Sequence, residues 1–336
     1  MSVLITADLH FSDNPRDAYR FLITQTLINL INKYDVKHLL ILGDLTEQKD
    51  NHGAWLTNNI VAEMVALASW CPITILRGNH DGVDPTLPFF GFLRIFSNIS
   101  FVVNPSEKEI PGIGQCLFLP HSTNYKEDWG MINLKDTKYD YIFAHNTFKG
   151  ASGQHRELDG IPTDIFNSYT NVIAGDVHVP HTIGPITYTG SPYLIDFGDD
   201  FRPRMLLIDS ETLKRKSITV PGPQKRLVEC SISKGKTIWP EQTLNAGDIL
   251  KVRVAVTSEQ YARWAAIKTE IQQWGHTHGY IIYAIQAVAD KAVSRKVDTV
   301  QRSRLSDVEV LESYGSQRNL ESRLLVRGKK LMEKVK

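Results

Sequence analysis

Five short motifs of acidic, histidine and amide residues each follow directly on an apolar, β-branched run. They are Asp8-Leu9-His10, Gly43-Asp44, Gly78-Asn79-His80-Asp81, His145-Asn146 and Gly175-Asp176-Val177-His178. The runs before them, residues 3–6, 38–42, 73–76, 141–144 and 172–174, have the length and composition of buried strands. Residues 100–103 and 116–119 read the same way, and 186–189 and 205–208 read as strands of a second sheet edge. Helical periodicity lies between the first strands. Tyr19, Leu22, Ile23, Thr26, Leu27, Leu30, Ile31 and Tyr34 form one apolar stripe. A second helix is expected over 54–70, with Leu56, Ile60, Val61, Met64, Val65 and Leu67 inward. This alternation implies an α/β core of layered sheet and helix. Ligands of such sheets gather beyond the carboxyl ends of the strands. Five strand exits would therefore deliver these side chains to one rim. Glycines 43, 78 and 175 allow the backbone to turn sharply there.

The residue types define the chemistry. Asp8, His10, Asp44, Asn79, His145, Asp176 and His178 make a mixed oxygen and nitrogen donor set without a nearby thiolate. Such a set suits Mn²⁺, Fe²⁺ or Zn²⁺. Seven donors are too many for one transition metal. They fit two cations about 3.5–4 Å apart that share a bridging carboxylate, and Asp44 is the natural bridge. No Gly-rich phosphate loop ending in Gly-Lys-Ser/Thr is present.

Length and composition bound the remainder. A chain of 336 residues, 42% of them hydrophobic, suggests two domains, or one with an appendage. Cys71, Cys116 and Cys230 are odd in number and far apart, which fits a reducing compartment and neither a disulfide framework nor a zinc knuckle. No apolar run approaches the roughly 20 residues needed to span a bilayer. The start of the chain lacks the features of a signal peptide. The expected location is the cytoplasm (the host's, if a phage encodes the chain). From Lys291 onward there are 12 Lys and Arg against 6 Asp and Glu, whereas residues 1–290 carry a net −5. The breaker Pro221-Gly222-Pro223 marks a boundary. Three regions are expected: 1–220, a small α+β unit at 224–290, and a linker with helical tail at 291–336. In the middle region a helix over 258–274 takes Ser258 as its N-cap. In the tail, helices are expected over 306–314 and 317–335.

The order Asp-x-His, Gly-Asp, Gly-Asn-His-Asp, lone His and Gly-x-x-His resembles the calcineurin-like metallophosphoesterase superfamily. The segment Tyr188-Thr189-Gly190-Ser191-Pro192-Tyr193-Leu194-Ile195-Asp196-Phe197-Gly198-Asp199, followed by residues 205–209, is similar to the end of the nuclease domain in SbcD-type recombination nucleases. The resemblance implies a layered sandwich of two β-sheets flanked by helices, then a small α+β capping domain that binds DNA, and a C-terminal helical segment. It implies one cation on Asp8, His10, Asp44 and His178 and another on Asp44, Asn79, His145 and Asp176, with His80 as the catalytic histidine. Two positions depart from the pattern. Asp176 stands where the family has histidine. Either it binds and shifts preference toward Mn²⁺ or Mg²⁺, or the second site is weak. Glu47 stands where these nucleases often carry a second active-site histidine, and His52 is the candidate for that phosphate-contacting role.

The expected function is then that of a Mn²⁺-dependent DNA exonuclease or endonuclease of a recombination and repair complex. A water activated by two cations (Mn²⁺, or Mg²⁺) attacks a phosphodiester while His80 assists the leaving oxygen. Implied partners are DNA, an SMC-like coiled-coil ATPase of SbcC type docked on the tail, and a second copy of the chain contacting helix 54–70. Two other readings share the core motifs: a phosphoesterase acting on a cyclic nucleotide, nucleotide or phosphoprotein, and a catalytically silent scaffold for the ATPase.

Overall fold

A computed structural model describes residues 1–130, 132, 134, 138–153, 156–233, 236–239, 243–289 and 326. The helices expected in the tail lie outside these, Val326 apart. Strands β1 (Ser2–Thr6), β2 (Val36–Ile41), β3 (Ile73–Leu76) and β4 (Ile99–Val102) pair in parallel in that order. Strands β5 (Ser106–Ile110), β6 (Gly114–Leu119), β7 (Tyr141–His145), β8 (Val172–Gly175), β9 (Thr182–Ile183) and β10 (Ile186–Tyr188) form a second sheet, with β6, β7, β8 and β10 parallel. The chain then returns to the first sheet. Strand β11 (Arg204–Asp209) lies antiparallel to β1, and β12 (Arg215–Thr219) pairs with β11 at the edge. The expectation that 186–189 and 205–208 share one sheet edge is therefore corrected: the two runs belong to different sheets.

The continuous apolar runs are explained by burial on both faces. Val3, Ile5, Leu40 and Leu42 of the first sheet pack against Cys116, Phe118, Tyr141 and Phe143 of the second. The alternate residues Leu4, Leu39 and Ile41 face outward onto Leu27 and Ile31 of helix α1 (Leu22–Lys33) and onto Ile60 and Met64 of α2 (Ala54–Ala68). On the outer face of the second sheet, Leu117, Ile142 and Ala144 meet Phe148, Phe166 and Tyr188. The result is the sandwich of two β-sheets flanked by helices that the resemblance implies.

Local detail departs from the periodicity in two places. Residues Pro15–Phe21 form a 3₁₀ segment before α1, capped by the Asn14 side chain on the Arg16 amide. Pro15 fits this first turn because its missing N–H has no helical partner there. On α2, Val65 is exposed rather than inward, as are Trp55 and the following Trp70.

Contacts divide the chain into two compact units. The first comprises Met1–Leu227, Thr243–Lys251 and Gly275–Tyr283, and the second Val228–Gln242, Val252–Trp274 and Ala284–Lys336. A third sheet has the order β14-β13-β15-β16, built of β13 (Lys225–Ser233), β14 (Lys236–Ile238), β15 (Ile249–Val256) and β16 (Ile281–Ala289). A short helix α3 (Tyr125–Asp128) precedes these strands, and α4 (Ser258–Tyr261) and α5 (Trp264–His278) lie between β15 and β16. The N-cap of α4 is Thr257 and not Ser258. The Thr257 side chain takes the Gln260 amide, and the Gln260 side chain takes the Thr257 amide. This reciprocal capping box satisfies two orphan donors, which a cap one residue later would not achieve.

One buried histidine makes the first sheet acid-sensitive. His38 on β2 bonds through Nε2 to Thr74 Oγ1 at 2.9 Å. Burial, reinforced by the Lys108 charge, lowers its pKa to about 4 from 6.5. The folded state thus prefers the neutral ring. Its full contribution to stability is present above pH 6.5 and is lost as pH falls toward 4. Urea unfolding should lose about 1 kcal/mol per pH unit across that window, and His38→Gln should flatten the dependence.

Candidate metal centre

The seven expected donors come from both sheets. Asp8 and His10 follow β1, Asp44 follows β2, and Asn79 follows β3. His145 ends β7, and Asp176 and His178 follow β8. Backbone bonds lock the loops after β1 and β2 together: Asp8 N–H donates to the Gly43 carbonyl and His10 N–H to the Asp44 carbonyl. The second sheet is tied in by His145, whose Nδ1–H donates to the Leu42 carbonyl at 2.6 Å. That bond fixes the tautomer and leaves the Nε2 lone pair facing the centre, an arrangement typical of ligating histidines.

The donor atoms fall into two groups. Asp8, His10 and His178 each bring one atom within 4.8 Å of the others, and so do Asp8, Asp44 and His145. Asp44 joins the groups. Its Oδ2 lies 3.6 Å from His10 Nε2 and its Oδ1 lies 3.4 Å from His145 Nε2. Asn79 and Asp176 complete the second group. The Asn79 amide oxygen stands 3.0 Å from His145 Nε2, and 3.2 Å from each Asp44 oxygen and from Asp176 Oδ1. Thr147 Oγ1–H donates to Asp176 Oδ2 at 2.5 Å and turns the other oxygen to the cluster. Asp176 therefore stands where a ligand of the second group would stand. Asp8 borders both groups, whereas the motif pattern allots it to one.

This packing fits divalent cations. Oxygens and imidazole nitrogens face one another at 3.0–3.7 Å, which is repulsive unless positive charge, from protons or cations, lies among them. Turning the Asn79 amide over would let its NH₂ donate to the same atoms. That is the cation-free arrangement, and a cation selects the oxygen-inward one. Asp8 Oδ2 is fully buried and has no hydrogen-bond partner among the described residues. Burial pushes the Asp8 pKa well up, against the pull of His145, so a neighbouring cation is what would keep it ionised. Burial also lowers His10 to about 3, which holds the neutral, ligating imidazole at ordinary pH. Asp44 is held below the usual carboxylate range. Burial opposes this, but without a cation His145 outweighs it, since, against its own burial, Asp44, Asp176 and Asp8 push its pKa up and favour its protonated form, a charge that a bound cation would replace.

The backbone here is unusual. Asp8, His10, Asp44 and Asp176 all have positive φ, from 43° to 83°, the left-handed region that non-glycine residues rarely adopt. Of the three strand-exit glycines only Gly43 has positive φ. Gly78 is required for another reason: a Cβ there would fall on the Asp44 carboxylate. The expectation that glycines make the turns is thus only partly right, because the aspartates themselves also turn.

His80 lies beside this cluster. Its ring is 4.9 Å from that of His10, and its Nδ1–H donates to the Glu47 carbonyl at 2.6 Å. Its Nε2 is the ring atom left for a substrate. His52, the expected second phosphate contact, lies just before α2. Its ring packs edge-on against Phe89 at 4.4 Å, and its Nε2 bonds the Lys49 carbonyl. Its position gives no support to that role, because its ring is engaged by the loop and its aromatic neighbours.

Asp81 and Arg20, besides Thr147, carry roles that spacing did not reveal, and His121 lies beside the cluster. Asp81 is buried and accepts the amides of Asp44, Leu45 and Gly78 at 3.1, 2.8 and 2.6 Å. Its only sequence signal was its place in Gly-Asn-His-Asp. Buried Arg20 donates to Glu47 Oε2 at 2.6 Å and to the His10 carbonyl. It gave no signal, being one basic residue on an expected helix. His121, at the exit of β6, has its ring 6.3 Å from His145, and burial lowers its pKa to about 4.

A calcineurin-like phosphoesterase family model matches residues 1–207. The chain belongs to that family. Among solved structures it is similar to a dimetal phosphatase from Danio rerio, with 12% identity and a TM-score of 0.38 over 66% of this chain and 99% of that one. No curated protein matches it. In this phosphoesterase the site is built from strand exits of both sheets, so its geometry depends on the loops between them. Replacing Asp81 by Ala would strand three amide donors and free the Asp44 loop. Mn²⁺ affinity measured calorimetrically should fall about 10–100-fold, while circular dichroism of the folded protein stays unchanged.

Proposed function

We propose that this phosphoesterase is a Mn²⁺-dependent DNA phosphodiesterase, a nuclease of SbcD type. The observation that carries the two-cation chemistry is Asp44, whose two oxygens face two separate donor groups. Asp8, His10, Asp44 and His178 would hold one cation, and Asp44, Asn79, His145 and Asp176 the other. When bound, the pair supplies Lewis acidity to the phosphate and a strong nucleophile from water near neutral pH. The carboxylates of Asp44 and Asp176 fit Mn²⁺ and Mg²⁺ better than softer ions.

The chain's own groups account for the proton and for position. Water gives up a proton to solvent and its oxygen bonds to phosphorus as the bond to the leaving oxygen breaks, and the leaving oxygen takes up a proton. His80 keeps Nδ1–H on the Glu47 carbonyl and leaves Nε2 as the atom that would deliver a proton to that oxygen. Arg20 holds the Glu47 carboxylate, which steadies the backbone that orients His80. Support for DNA as substrate is the likeness of residues 188–199 to the end of SbcD-type nuclease domains.

Partners follow from the same reading. The basic segment after residue 291 suits an ATPase groove or DNA phosphates. The exposed Trp55 and Val65 of α2 suit contact with a second copy. No helix among the described residues is long and apolar enough to cross a membrane.

Purified protein should cleave single- or double-stranded DNA with Mn²⁺, and His80→Ala should lower kcat about 10²–10⁴-fold with Mn²⁺ binding retained. Inactivity with every divalent cation, or a fully active His80→Ala, would refute the reading. Turnover of bis-p-nitrophenyl phosphate above that of the monoester is expected, and the reverse preference would assign a monoesterase. Removal of residues 300–336 should abolish association with an SMC-like ATPase and spare hydrolysis of the small diester.

A further inference from the structure

A cavity of about 520 Å³ opens beside the metal centre, with Asp176 and His178 in its wall. Its size lies in the range of small-ligand sites. Residues 150–153 and 156–158 are bonded to one another beside it, and Gly153, Arg156 and Leu158 line it. Leu158 N–H donates to the Ala151 carbonyl at 2.7 Å, Gly150 N–H to the Leu158 carbonyl at 3.0 Å, and Gly153 N–H to the Arg156 carbonyl at 2.9 Å. Ser152 N–H donates to His181 Nε2 at 2.9 Å, and His181 Nδ1–H donates to the Val179 carbonyl at 2.8 Å. The His181 ring also stacks on Tyr188 at 4.9 Å. Ser152 is thus tied through His181 to the chain just after the metal ligand His178.

Three kinds of group line this cavity. Arg156 is exposed and makes no ion pair among the described residues. Leu158, Val177 and Val179 give apolar surface. Asp199 is 7% exposed. Its Oδ2 accepts the amides of Ile195 and Asp196, both at 2.7 Å, while its Oδ1 is buried without a partner. An unsatisfied buried carboxylate oxygen calls for an N–H or O–H donor. Asp196 and Asp199 together disfavour a bare phosphate. A ligand that suits all three groups carries an anion at one end, an apolar body, and hydrogen-bond donors at the other. A nucleotide has that make-up.

We propose that this cavity seats the nucleotide adjoining the scissile phosphate. Arg156 pairs with the next phosphate along the strand, the apolar wall meets the base or sugar, and Asp199 Oδ1 accepts a hydrogen bond from the same nucleotide. The assignment rests on the DNA phosphodiesterase reading and deepens it. Arg156 and Asp199 are positioning residues that act on substrate remote from the reacting atoms, so their contribution belongs in KM more than in kcat.

The test compares wild type, Arg156→Gln and Arg156→Lys on a short single-stranded oligonucleotide and on bis-p-nitrophenyl phosphate, with Mn²⁺, across a salt series. For Arg156→Gln, oligonucleotide KM should rise about 10-fold with kcat within about twofold. The slope of log(kcat/KM) against log salt should become shallower by about 0.7, the value for one phosphate contact on a single strand. Arg156→Lys should restore the slope. Asp199→Asn should change the relative kcat/KM among the four homo-oligonucleotides. An unchanged oligonucleotide KM and salt slope in Arg156→Gln, or an equal fractional loss on both substrates, would overturn the assignment alone. Failure of the wild type to cleave any oligonucleotide while it hydrolyses small phosphoesters would overturn both the assignment and the reading beneath it.

Discussion

The carboxylate of Asp44 is the constraint on which the rest of the site depends. It is buried, and two imidazole nitrogens and the Asn79 amide oxygen stand at 3.2–3.6 Å from its two oxygens. Such crowding of like partial charges is sustained only where positive charge enters or where protons are shared. The fold supplies the enclosure, and the cations would supply the charge. Metal binding and the protonation of Asp8, His10 and Asp44 are in consequence one coupled equilibrium.

Holding that arrangement requires strained backbone. Four of the seven donors sit at positive φ, at roughly 1–2 kcal/mol each. Local structure cannot stabilise such turns, so the surroundings must over-determine them. Asp81 does this from one side with its three amide bonds, Gly78 by letting Asp44 approach, and His145 by bonding the Leu42 carbonyl across the sheets. The apolar layer between the sheets keeps these partners at fixed distance, because close-packed interiors yield little. Core packing and site geometry are for this reason the same problem.

The second layer of contacts links the site to its substrate side. Arg20 gathers Glu47 and the His10 carbonyl, and Glu47 in turn orients His80. On the other flank Thr147 turns Asp176, and His181 holds the Ser152 amide. Preorganised groups of this kind need no rearrangement when charge develops on a phosphate, which is where electrostatic catalysis gains most.

The five motifs and the apolar runs before them were enough to determine the layered α/β class, the strand exits as the site and the family. They suffice because a strand buried on both faces needs an unbroken apolar run and because ligating residue types are few. Other features depended on the third dimension. Strand β11 pairs with β1 and not with β10, a choice made by chain return and sheet twist that no local pattern encodes. His52 faces Phe89 and Phe90, because its helix entry places it there whatever its chemistry would permit. Asp81, Arg20 and Thr147 act on the ligands only through contacts with residues distant in the chain. Asp176 is the sharpest instance. Its type departs from the family pattern, and only the folding of β8 against β7 and β3 brings its oxygen to Asn79 and His145. The sequence determined which atoms could bind a cation, and the tertiary structure decided which of them meet, since distances between strand exits are set by packing.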